Sequence, residues 1–443
     1  MTVRAVVAAE TLSTAARTIG MLALLAVPLP ATVALTWTAL VTGSRPPRTL
    51  PSPDPRTVLI SGGKMTKALA LARAFSSAGH RVVLVESARY RTAHRYSRSV
   101  DRFYPVPEPT DPNYADALHR IVRQEGVDMY LPVSSPLGSR YDARTKGLLG
   151  PGCEVFSADP DLVEVLDDKH RFAELATSLG LPVAQTHRIT HPGQIDDIDR
   201  TGSAQGYLLK SIGYDPVGRT DPVRLTGRDP ETEAALVRTL TISEQHPWVM
   251  QEFLVGQEYC THSTVRAGRV QVYACCPSSP AQLNYSMVDV PEIEHWVRHF
   301  CERLGLTGQV AFDFIRTADG GVKAIECNPR THSAITMFYD CPDLADAYLH
   351  QRPGCLTPTP ASRPTYWLYN ELGRALRDPR SLPSRARTVV RGKDAVFAWS
   401  DPWPFLLLHG LQIPALLLQD LRRGRRWLRI DVNIGKLVEA GGD

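Results

Sequence analysis

Two apolar strands joined by a short turn constrain this 443-residue chain more than any other feature. Residues 310–316 and 322–330 flank the dipeptide Asp319-Gly320. An Asp-Gly pair between runs of alternating apolar residues is a strong signal for a β-hairpin with a two-residue turn. With these two residues as the loop, Asp313 lies directly opposite Glu326.

One face of this hairpin is predicted to be polar. Because side chains alternate along a strand, Asn328 shares a face with Asp313 and Glu326. Two carboxylates that face each other across a ladder repel unless a cation lies between them. Hard oxygen ligands of this kind suit Mg²⁺ held jointly with nucleotide phosphates, although a solvated polar face is the alternative. The opposite face suits a hydrophobic core and holds Phe312, Phe314, Ile325 and Cys327.

Further motifs precede the hairpin in a fixed order. Lys169 follows a short predicted helix, Lys210 ends the strand at residues 207–210, and residues 248–261 contain Gln-Glu-Phe-Leu followed by a second glutamate. Together with the Glu-x-Asn-x-Arg ending of the hairpin, this ordered set resembles the ATP-grasp superfamily over roughly residues 57–340. The resemblance implies an α/β ATP-grasp fold with an N-terminal βαβ parallel-sheet domain, a lid subdomain and an α+β nucleotide domain.

The resemblance also implies roles for individual residues. Arg330 would clamp a phosphate oxyanion and Lys210 would contact ATP phosphates, which makes these two the implied catalytic residues. A loop at residues 211–220 would close over the phosphates. The implied ATP-binding residues are Lys169, Lys210, Glu252, Phe253, Leu254 and Glu258. The implied ligands of Mg²⁺ or Mn²⁺ are Asp313, Glu326 and Asn328.

Residues 61–86 and 99–107 resemble a narrower group, the ATP-grasp ligases of mycosporine biosynthesis. This resemblance implies a carbon–nitrogen ligase that joins glycine or another amino acid to 4-deoxygadusol through a phosphorylated intermediate. Two other classes stay open: a ligase that couples a carboxylate to an amino acid or peptide, and a non-catalytic, membrane-bound ATP-binding protein. Candidates for the acceptor pocket are Ser134, Ser135, Asn284, Tyr285, His332 and Ser333.

Residues 1–45 have the composition of a hydrophobic membrane segment. The stretch 18–44 contains no charged residue, and arginines flank it on both sides. It is long enough to span a bilayer, whereas Pro28 and Pro30 also allow a hairpin of two half-helices, and a cleaved signal peptide is a third alternative. Flanking arginines favour a catalytic body on the cytoplasmic side of the membrane. If the segment is only an anchor, deletion of residues 1–50 leaves a soluble, active core.

The rest of the chain divides by composition and periodicity. Residues 46–56 hold five prolines and predict a stiff linker, and alternating strands and helices predict a βαβ domain at 57–158. The ATP-grasp domain is predicted at 159–345, with its lid subdomain at about 182–250. The Gly62-Gly63 turn lacks the Walker spacing, but it is expected to offer free backbone N–H groups to an anion at a substrate rim.

The C-terminal residues 346–443 are predicted to be helical, beginning with a helix at residues 365–377. Apolar stretches at residues 397–408 and 411–418 are interrupted by prolines and followed by a basic cluster at 422–427. This pattern favours an interfacial membrane anchor, and a helix packed on the core with a solvated basic face is the alternative.

Charge and cysteine usage limit the partners. The formal net charge of +4 is nearly balanced, so nothing calls for nucleic acid, and small-molecule substrates are the expected partners. The eight cysteines include no Cys-x-x-Cys pair, which favours reduced thiols over a zinc site. A homodimer is compatible with the sequence.

Overall fold

The computed structural model describes residues 3–43, 52–90, 92–133, 135–199, 203, 205–213, 223–278 and 283–439, with side chains from Thr14 onward. It begins with helices α1 (Val3–Ala26) and α2 (Leu29–Thr42). The backbone of Pro28 between them stays helical, and Thr32 N–H donates to Pro28 O at 2.9 Å. The two helices therefore form one N-terminal kinked helix and not the predicted alternative of a hairpin.

The first domain contains a parallel sheet, which confirms the βαβ prediction. Its strands are β1 (Thr57–Ile60), β2 (Arg81–Ser87), β3 (Arg102–Val106), β4 (Met129–Leu131) and β5 (Glu154–Val155). Its helices are α3 (Thr66–Ser77), α4 (Tyr114–Glu125) and α5 (Ser139–Arg144). The strand order is β3-β2-β1-β4-β5, so the order reverses beside β1, and the carboxyl ends of β1 and β4 open a crevice there.

A second sheet follows two short helices. Those helices are α6 (Pro160–Asp167) and α7 (Lys169–Ser178). The sheet and its helices comprise β6 (Thr186–Ile189), α8 (Gln194–Asp197), β7 (Tyr207–Ser211), β8 (Val223–Leu225), α9 (Pro230–Arg238) and β9 (Trp248–Glu252). The strands pair antiparallel in the order β6-β9-β7-β8, in the region predicted as the lid.

A third sheet carries the predicted hairpin. Its elements are β10 (Gly256–Arg266), β11 (Arg269–Pro277), β12 (Asn284–Tyr285), α10 (Pro291–Arg303), β13 (Gly308–Thr317), β14 (Val322–Asn328) and α11 (Leu344–Leu349). Strands β11-β10-β13-β14 form an antiparallel sheet, and α10 covers one face of it. The buried contact is aromatic and joins Phe172, Trp296, Phe300, Phe312 and Phe314.

The hairpin has the predicted central pair but a different turn. Asp313 pairs with Glu326 as expected. The two-residue loop is wrong, because Thr317 N–H donates to Gly321 O and Gly320 N–H donates to Thr317 O, both at 2.9 Å. The turn is therefore longer than the Asp-Gly signal indicated.

A β-bulge restores the register that the longer turn would shift. Phe314 pairs with Ala324, so Ile325 is the extra residue on β14. Phe312, Phe314 and Cys327 are buried as predicted, but Ala324 replaces Ile325 on the core face. The core assignment of Ile325 was wrong because a bulge moves one residue out of the alternation.

The C-terminal region adds short strands and helices to the body. They are β15 (Thr365–Tyr366), α12 (Leu368–Arg377), α13 (Leu382–Arg391), β16 (Lys393–Asp394), α14 (Trp403–Leu407), α15 (Ile413–Arg423), β17 (Trp427–Asp431) and β18 (Lys436–Glu439). The helix predicted over 365–377 starts later, because Thr365 and Tyr366 form a strand between β12 and β16.

The apolar C-terminal stretches form one helix. A π-helical turn, Leu408–Gln412, joins α14 to α15, so Pro404 and Pro414 lie near helix starts where a missing N–H is tolerated. We call residues 403–423 the C-terminal long helix. By length and composition, residues 14–42 and this helix are both apolar enough to cross a membrane, but half of the second is buried within the protein.

Candidate functional site

The polar face of the hairpin collects the predicted metal ligands. Asp313 and Glu326 face each other across β13 and β14, and Asn328 Nδ2 donates to Asp313 Oδ2 at 3.5 Å. Among the described residues, no group of three His, Cys, Asp or Glu side chains could hold a metal by itself. Two carboxylates and one amide suit Mg²⁺ whose remaining positions are filled by phosphate oxygens and water, so the donor set fits that ion.

The junction of α6 and α7 brings charges to this face. Asp167, Asp168 and Lys169 are consecutive, and each has a different partner. Asp167 Oδ1 accepts a hydrogen bond from Arg330 Nη1 at 2.9 Å, and Asp168 caps the first turn of α7. Lys169 Nζ lies 3.6 Å from Glu326 Oε1. Lys169 therefore lies next to the predicted metal ligands, where a phosphate would also meet it.

Arg330 is held at the end of the hairpin by two partners. Besides its ion pair with Asp167, its guanidinium donates to Asn328 Oδ1. The Asn328 amide thus bonds Asp313 on one side and Arg330 on the other. Its fixed position suits Arg330 to meet an anion beside the hairpin face. Asp167 was missed from the sequence, since a single aspartate at a helix end carries no signal of its own.

Lys210 is joined to the hairpin by Gln251, a residue to which the sequence analysis gave no role. Lys210 Nζ donates to Gln251 Oε1 at 2.8 Å. The Gln251 Nε2 group donates in turn to Ile325 O at 2.9 Å, the backbone carbonyl of the bulge. Burial lowers the pKa of Lys210 and Lys169 lowers it further, whereas Glu326 and Asp313 raise it. Gln251 therefore joins the lid sheet to the hairpin.

The predicted adenine hinge follows β9. The Glu252 carboxylate pairs with Lys323 Nζ at 2.9 Å and accepts from Gln185 N–H at 3.2 Å, so it is held by the protein. Phe253 N–H donates to Gly206 O at 2.9 Å.

The other two predicted nucleotide-binding residues, Leu254 and Glu258, follow the hinge along the chain. Leu254 belongs to the short link between β9 and β10, and Glu258 accepts from Ser278 Oγ at 3.2 Å. The predicted phosphate loop at 211–220 lies mostly outside the described residues. The nucleotide roles of all these residues stay predictions.

The predicted acceptor residues separate into two groups. Tyr285 and His332 are in edge-to-face ring contact at 5.2 Å, and Ser333 Oγ accepts from Asn433 Nδ2 at 2.7 Å. Asn284 neighbours Tyr285 on β12, whereas Ser134 lies outside the described residues. Burial, with Lys67 and Arg330 nearby, lowers the pKa of His332 to about 3, so this histidine is neutral and does not behave as a surface side chain.

Ser135 lies elsewhere, in a cavity of about 140 Å³ at the carboxyl ends of β1, β2 and β4. The cavity also exposes the Lys64–Glu86 ion pair, whose Nζ–Oε1 distance is 3.1 Å. Lys64 Nζ also sits 4.0 Å above the ring of Tyr90. This position, at the reversal of strand order, is where open α/β sheets usually bind ligands.

Four successive N–H groups in the glycine turn after β1 donate to acceptors within the protein. The N–H groups of Gly63, Lys64, Met65 and Thr66 donate to Val85 O, Glu86 Oε2, Gly62 O and Asn433 O. The expectation of free N–H groups is therefore wrong for residues 63–66, whereas Gly62 lines the cavity beside the turn, and its role at a substrate rim stays a prediction. Gly62 is required for shape, because its φ is +67° and a Cβ would come within 2.0 Å of Val133 O.

Lys67 connects this first domain to the hairpin. Its Nζ donates to Thr331 O at 2.6 Å, one residue beyond Arg330. Burial and the charge of Arg330 lower the pKa of Lys67 to about 7. The start of α3 therefore lies against the segment that carries Arg330, which brings the strand-end crevice and the hairpin face together.

Comparisons with known proteins agree with this architecture. No protein-family model matches the chain. The large chain of carbamoyl phosphate synthase from Rubrobacter xylanophilus is 23% identical over 281 residues, which are 58% of this chain and 24% of that protein. The chain thus spans about a quarter of the length of this curated relative.

Solved structures give a broader likeness. N5-carboxyaminoimidazole synthetase from Staphylococcus aureus has a TM-score of 0.55 and 16% identity, covering 75% of this chain and 88% of that one. An ADP complex of N5-carboxyaminoimidazole ribonucleotide synthetase has a TM-score of 0.54 and 17% identity, covering 76% and 88%. Biotin carboxylase from Campylobacter jejuni has a TM-score of 0.53 and 13% identity, covering 68% and 72%.

The fold is thereby defined. The chain has the α/β ATP-grasp fold, as the ordered motifs implied. At this level of identity the likeness defines the fold, and the residues of the hairpin face determine which chemistry is open to this chain.

Proposed function

We propose that this protein is an ATP-dependent ligase that forms a carbon–nitrogen bond through a phosphorylated intermediate. The observation that carries the proposal is the convergence on one hairpin face. Asp313 and Glu326 face each other there, and Lys169 lies 3.6 Å from Glu326. Paired carboxylates with lysine and arginine side chains beside them suit the binding of a metal–nucleotide complex.

The residues divide the work between holding charge and fixing geometry. Asp313, Glu326 and Asn328 would hold Mg²⁺, which supplies positive charge to a transferring phosphoryl group. Lys210 would neutralise phosphate oxygens from the side of the lid, and Lys169 would do so from the start of α7. Arg330, already fixed by Asp167 and Asn328, would meet the oxyanion on the acceptor.

The second substrate is proposed to lie between the crevice of the first sheet and Arg330. The bond between Lys67 and Thr331 supports this placement, because it holds the two regions side by side. Glu252, Phe253, Leu254 and Glu258 would hold the nucleoside, since they follow the lid sheet that carries Lys210.

The finer proposal concerns the substrates. An enol oxygen of 4-deoxygadusol would take the γ-phosphoryl group of ATP and release ADP. The amine of glycine, or of another amino acid, would then form a bond to the ring carbon that carries the phosphorylated oxygen. The bond between that carbon and the oxygen would break and release phosphate. Support comes from residues 61–86 and 99–107, which resemble the ligases of mycosporine biosynthesis. A carboxylate acceptor in place of the enol is the second candidate, because the same charged face would serve it.

ADP release tests both levels of this proposal. Purified protein receives Mg²⁺-ATP, glycine and 4-deoxygadusol, with each omitted in turn, while mass spectrometry follows the products. ADP release that needs both co-substrates and yields the glycine adduct supports the finer proposal. ADP release only with a carboxylate acceptor selects the second candidate. Nucleotide binding without turnover, for any amine and acceptor pair, would contradict the ligase and favour a non-catalytic ATP-binding protein.

A further inference from the structure

The N-terminal kinked helix is an outer layer of the protein. It runs antiparallel along the C-terminal long helix, because Thr18 lies beside Trp427, Leu29 beside Gly410, and Gly43 beside the backbone of Trp399. A Cβ on Gly410 would come 3.1 Å from Leu29 Cδ1, so the two helices touch closely at the middle. The C-terminal long helix packs on its other side into the main core. The kinked helix therefore has the body on one side and no protein on the other within the described residues.

The polarity of this helix is inverted relative to a helix that faces water. Its buried positions are Thr18, Leu25, Thr32, Thr36 and Ala39. Its exposed large side chains are Ile19, Leu24, Val27, Trp37 and Val41, and the exposed fraction reaches 77% at Val27 and 82% at Val41. A helix on the surface of a water-soluble domain shows the opposite arrangement, with apolar residues inside and charges outside.

The exposed face also needs no water for its polar groups. Thr38 Oγ1 donates to Ala34 O at 2.9 Å, and Thr42 Oγ1 donates to Thr38 O at 2.7 Å. These hydroxyls therefore bond the backbone of their own helix. No charged residue occurs over residues 18–44. A surface of this composition is suited to hydrocarbon.

A polar contact at Arg17 and Thr18 fastens the helix to the body. Arg17 Nη2 donates to Trp427 O and Leu428 O, both at 2.7 Å, and the guanidinium stacks 4.0 Å from the Trp427 ring. Trp427 Nε1 donates to Thr18 Oγ1 at 2.9 Å. A helix that crossed the bilayer away from the body would lose these bonds. The contact therefore favours a helix that stays alongside the body.

We infer that the protein attaches to a lipid bilayer through this helix lying in the membrane plane, between the lipid and the C-terminal long helix. The 29 residues from Thr14 to Thr42 would lie along about 43 Å of the interface. Arg422 and Arg423 are exposed at the end of the C-terminal long helix, near Trp427, where they would meet anionic headgroups. The attachment is in-plane, so both chain ends stay on the side of the catalytic body. This inference about membrane attachment does not depend on which reaction the protein catalyses.

Vesicle flotation of the full chain tests the surface. We expect the protein to float with phosphatidylcholine vesicles and to bind more tightly when phosphatidylglycerol is included. Ile19→Asp is expected to lower the partition coefficient by roughly tenfold or more, because it places a charge on the apolar face. Leu148→Asp is the matched control, since Leu148 is 57% exposed and Ile19 is 60% exposed, but it lies beyond α5 at the far edge of the first sheet. Equal binding of the two variants would overturn the inference.

Two further readouts separate the in-plane attachment from its rivals. Epitopes are placed at both chain ends, and membrane vesicles of one orientation are treated with protease. Cleavage of both epitopes together supports the in-plane attachment, whereas protection of the N-terminal epitope alone would show a membrane span. Light scattering in vesicle-free buffer tests whether a second copy of the chain, and not lipid, covers the apolar face. A dimer that Ile19→Asp dissociates, without any vesicle binding, would show that a second copy covers the face.

Discussion

At the scale of single residues, the candidate site works through fixed charges, and Glu326 is central to it. Its carboxylate faces Asp313 and lies 3.6 Å from Lys169 Nζ. We expect Glu326→Gln to lower the rate of ADP release at least about a hundredfold, because a neutral amide is a weaker ligand for Mg²⁺ than a carboxylate. Glu302→Gln, at an exposed position of α10, is the control and should leave the rate unchanged. Near-normal turnover of Glu326→Gln, with unfolding like the wild type, would remove the metal-site assignment.

Gln251 is the residue whose loss separates positioning from chemistry. It accepts from Lys210 and donates to the carbonyl of Ile325. We expect Gln251→Leu to raise the KM for ATP about tenfold while kcat changes less, because one hydrogen bond to a charged group is lost on the side of the lid. Steady-state kinetics at varied ATP measures the split.

The exposed Gln124 on α4 supplies the control for this change, since Gln124→Leu should alter neither constant. A fall in unfolding stability without any change in KM would give Gln251 a purely structural role.

At the scale of elements, the turn between β13 and β14 depends on one glycine. Gly320 has a φ of +85°, and no atom lies within 4 Å of the place that a Cβ would occupy, so a side chain there is disfavoured by backbone conformation alone. We expect Gly320→Ala to reduce the free energy of unfolding by about 1 kcal/mol. Gly321→Ala, at the next position and without a positive φ, should reduce it less. Denaturant unfolding of both variants measures the difference, and equal losses would contradict the strained turn.

The same hairpin shows which parts of an element can be read from sequence. Asp313 and Glu326 were correctly paired because alternation and a turn signal are local. The length of the turn was predicted wrongly, since Asp-Gly occurs in loops of more than one length. The extra turn residue and the bulge at Ile325 compensate each other, so the central pair was right although its derivation was not. The bulge also explains how a backbone carbonyl became available to Gln251.

At the scale of the whole molecule, the contacts that assemble the site and the contacts that attach the N-terminal kinked helix join distant parts of the chain. Gln251 and Ile325 are separated by 74 positions, Lys67 and Thr331 by 264, and Arg17 and Trp427 by 410. No periodicity or motif in the sequence marks such pairs. The ordered motifs therefore predicted the fold, and the hairpin pattern predicted the pairing of Asp313 with Glu326, whereas the connections between domains needed the three-dimensional structure. The domain boundaries and residue roles stay predictions.

Buried neutral histidines make the whole protein sensitive to acid. Burial lowers the pKa of His94 to about 4 and that of His332 to about 3, and it holds the pKa of His262 well below 6.5. Below pH 6.5 these histidines bind protons in the unfolded chain but not in the folded chain, so their contribution to stability falls as the pH falls and is constant above that value. Each histidine contributes about 1.4 kcal/mol per pH unit until its folded pKa is reached.

His94 offers a direct test of this linkage. Its Nδ1 bonds Gly63 O at 2.9 Å, while its buried Nε2 has no hydrogen-bond partner among the described residues, so a second proton would be unpaired there. We expect His94→Gln to reduce the slope of unfolding free energy against pH between about pH 6.5 and about pH 4.5 by one proton. Denaturant unfolding across that range measures the slope, and an unchanged slope would show that His94 does not contribute.

The attachment of the N-terminal kinked helix changes what truncation should do. The sequence predicted that a core without residues 1–50 stays soluble and active. The structure instead buries Leu25 in the main core and bonds Arg17 and Thr18 to the region of Trp427. We expect deletion of residues 1–43 to preserve ADP release, because no candidate site residue lies on the helix, but to lower the melting temperature and cause association in the absence of detergent.

The double variant Arg17→Met with Thr18→Val separates the effect of the polar contact with the body from the effect of the apolar helix itself. It removes the hydrogen bonds to Trp427 and Leu428 but keeps the apolar face. We expect a smaller fall in melting temperature than deletion causes and continued binding to vesicles. The truncated protein should lose vesicle binding, because the lipid-facing surface leaves with the helix. A truncated protein that melts like the full chain would show that the helix rests on the body without stabilising it, and the original expectation of an independent core would then hold.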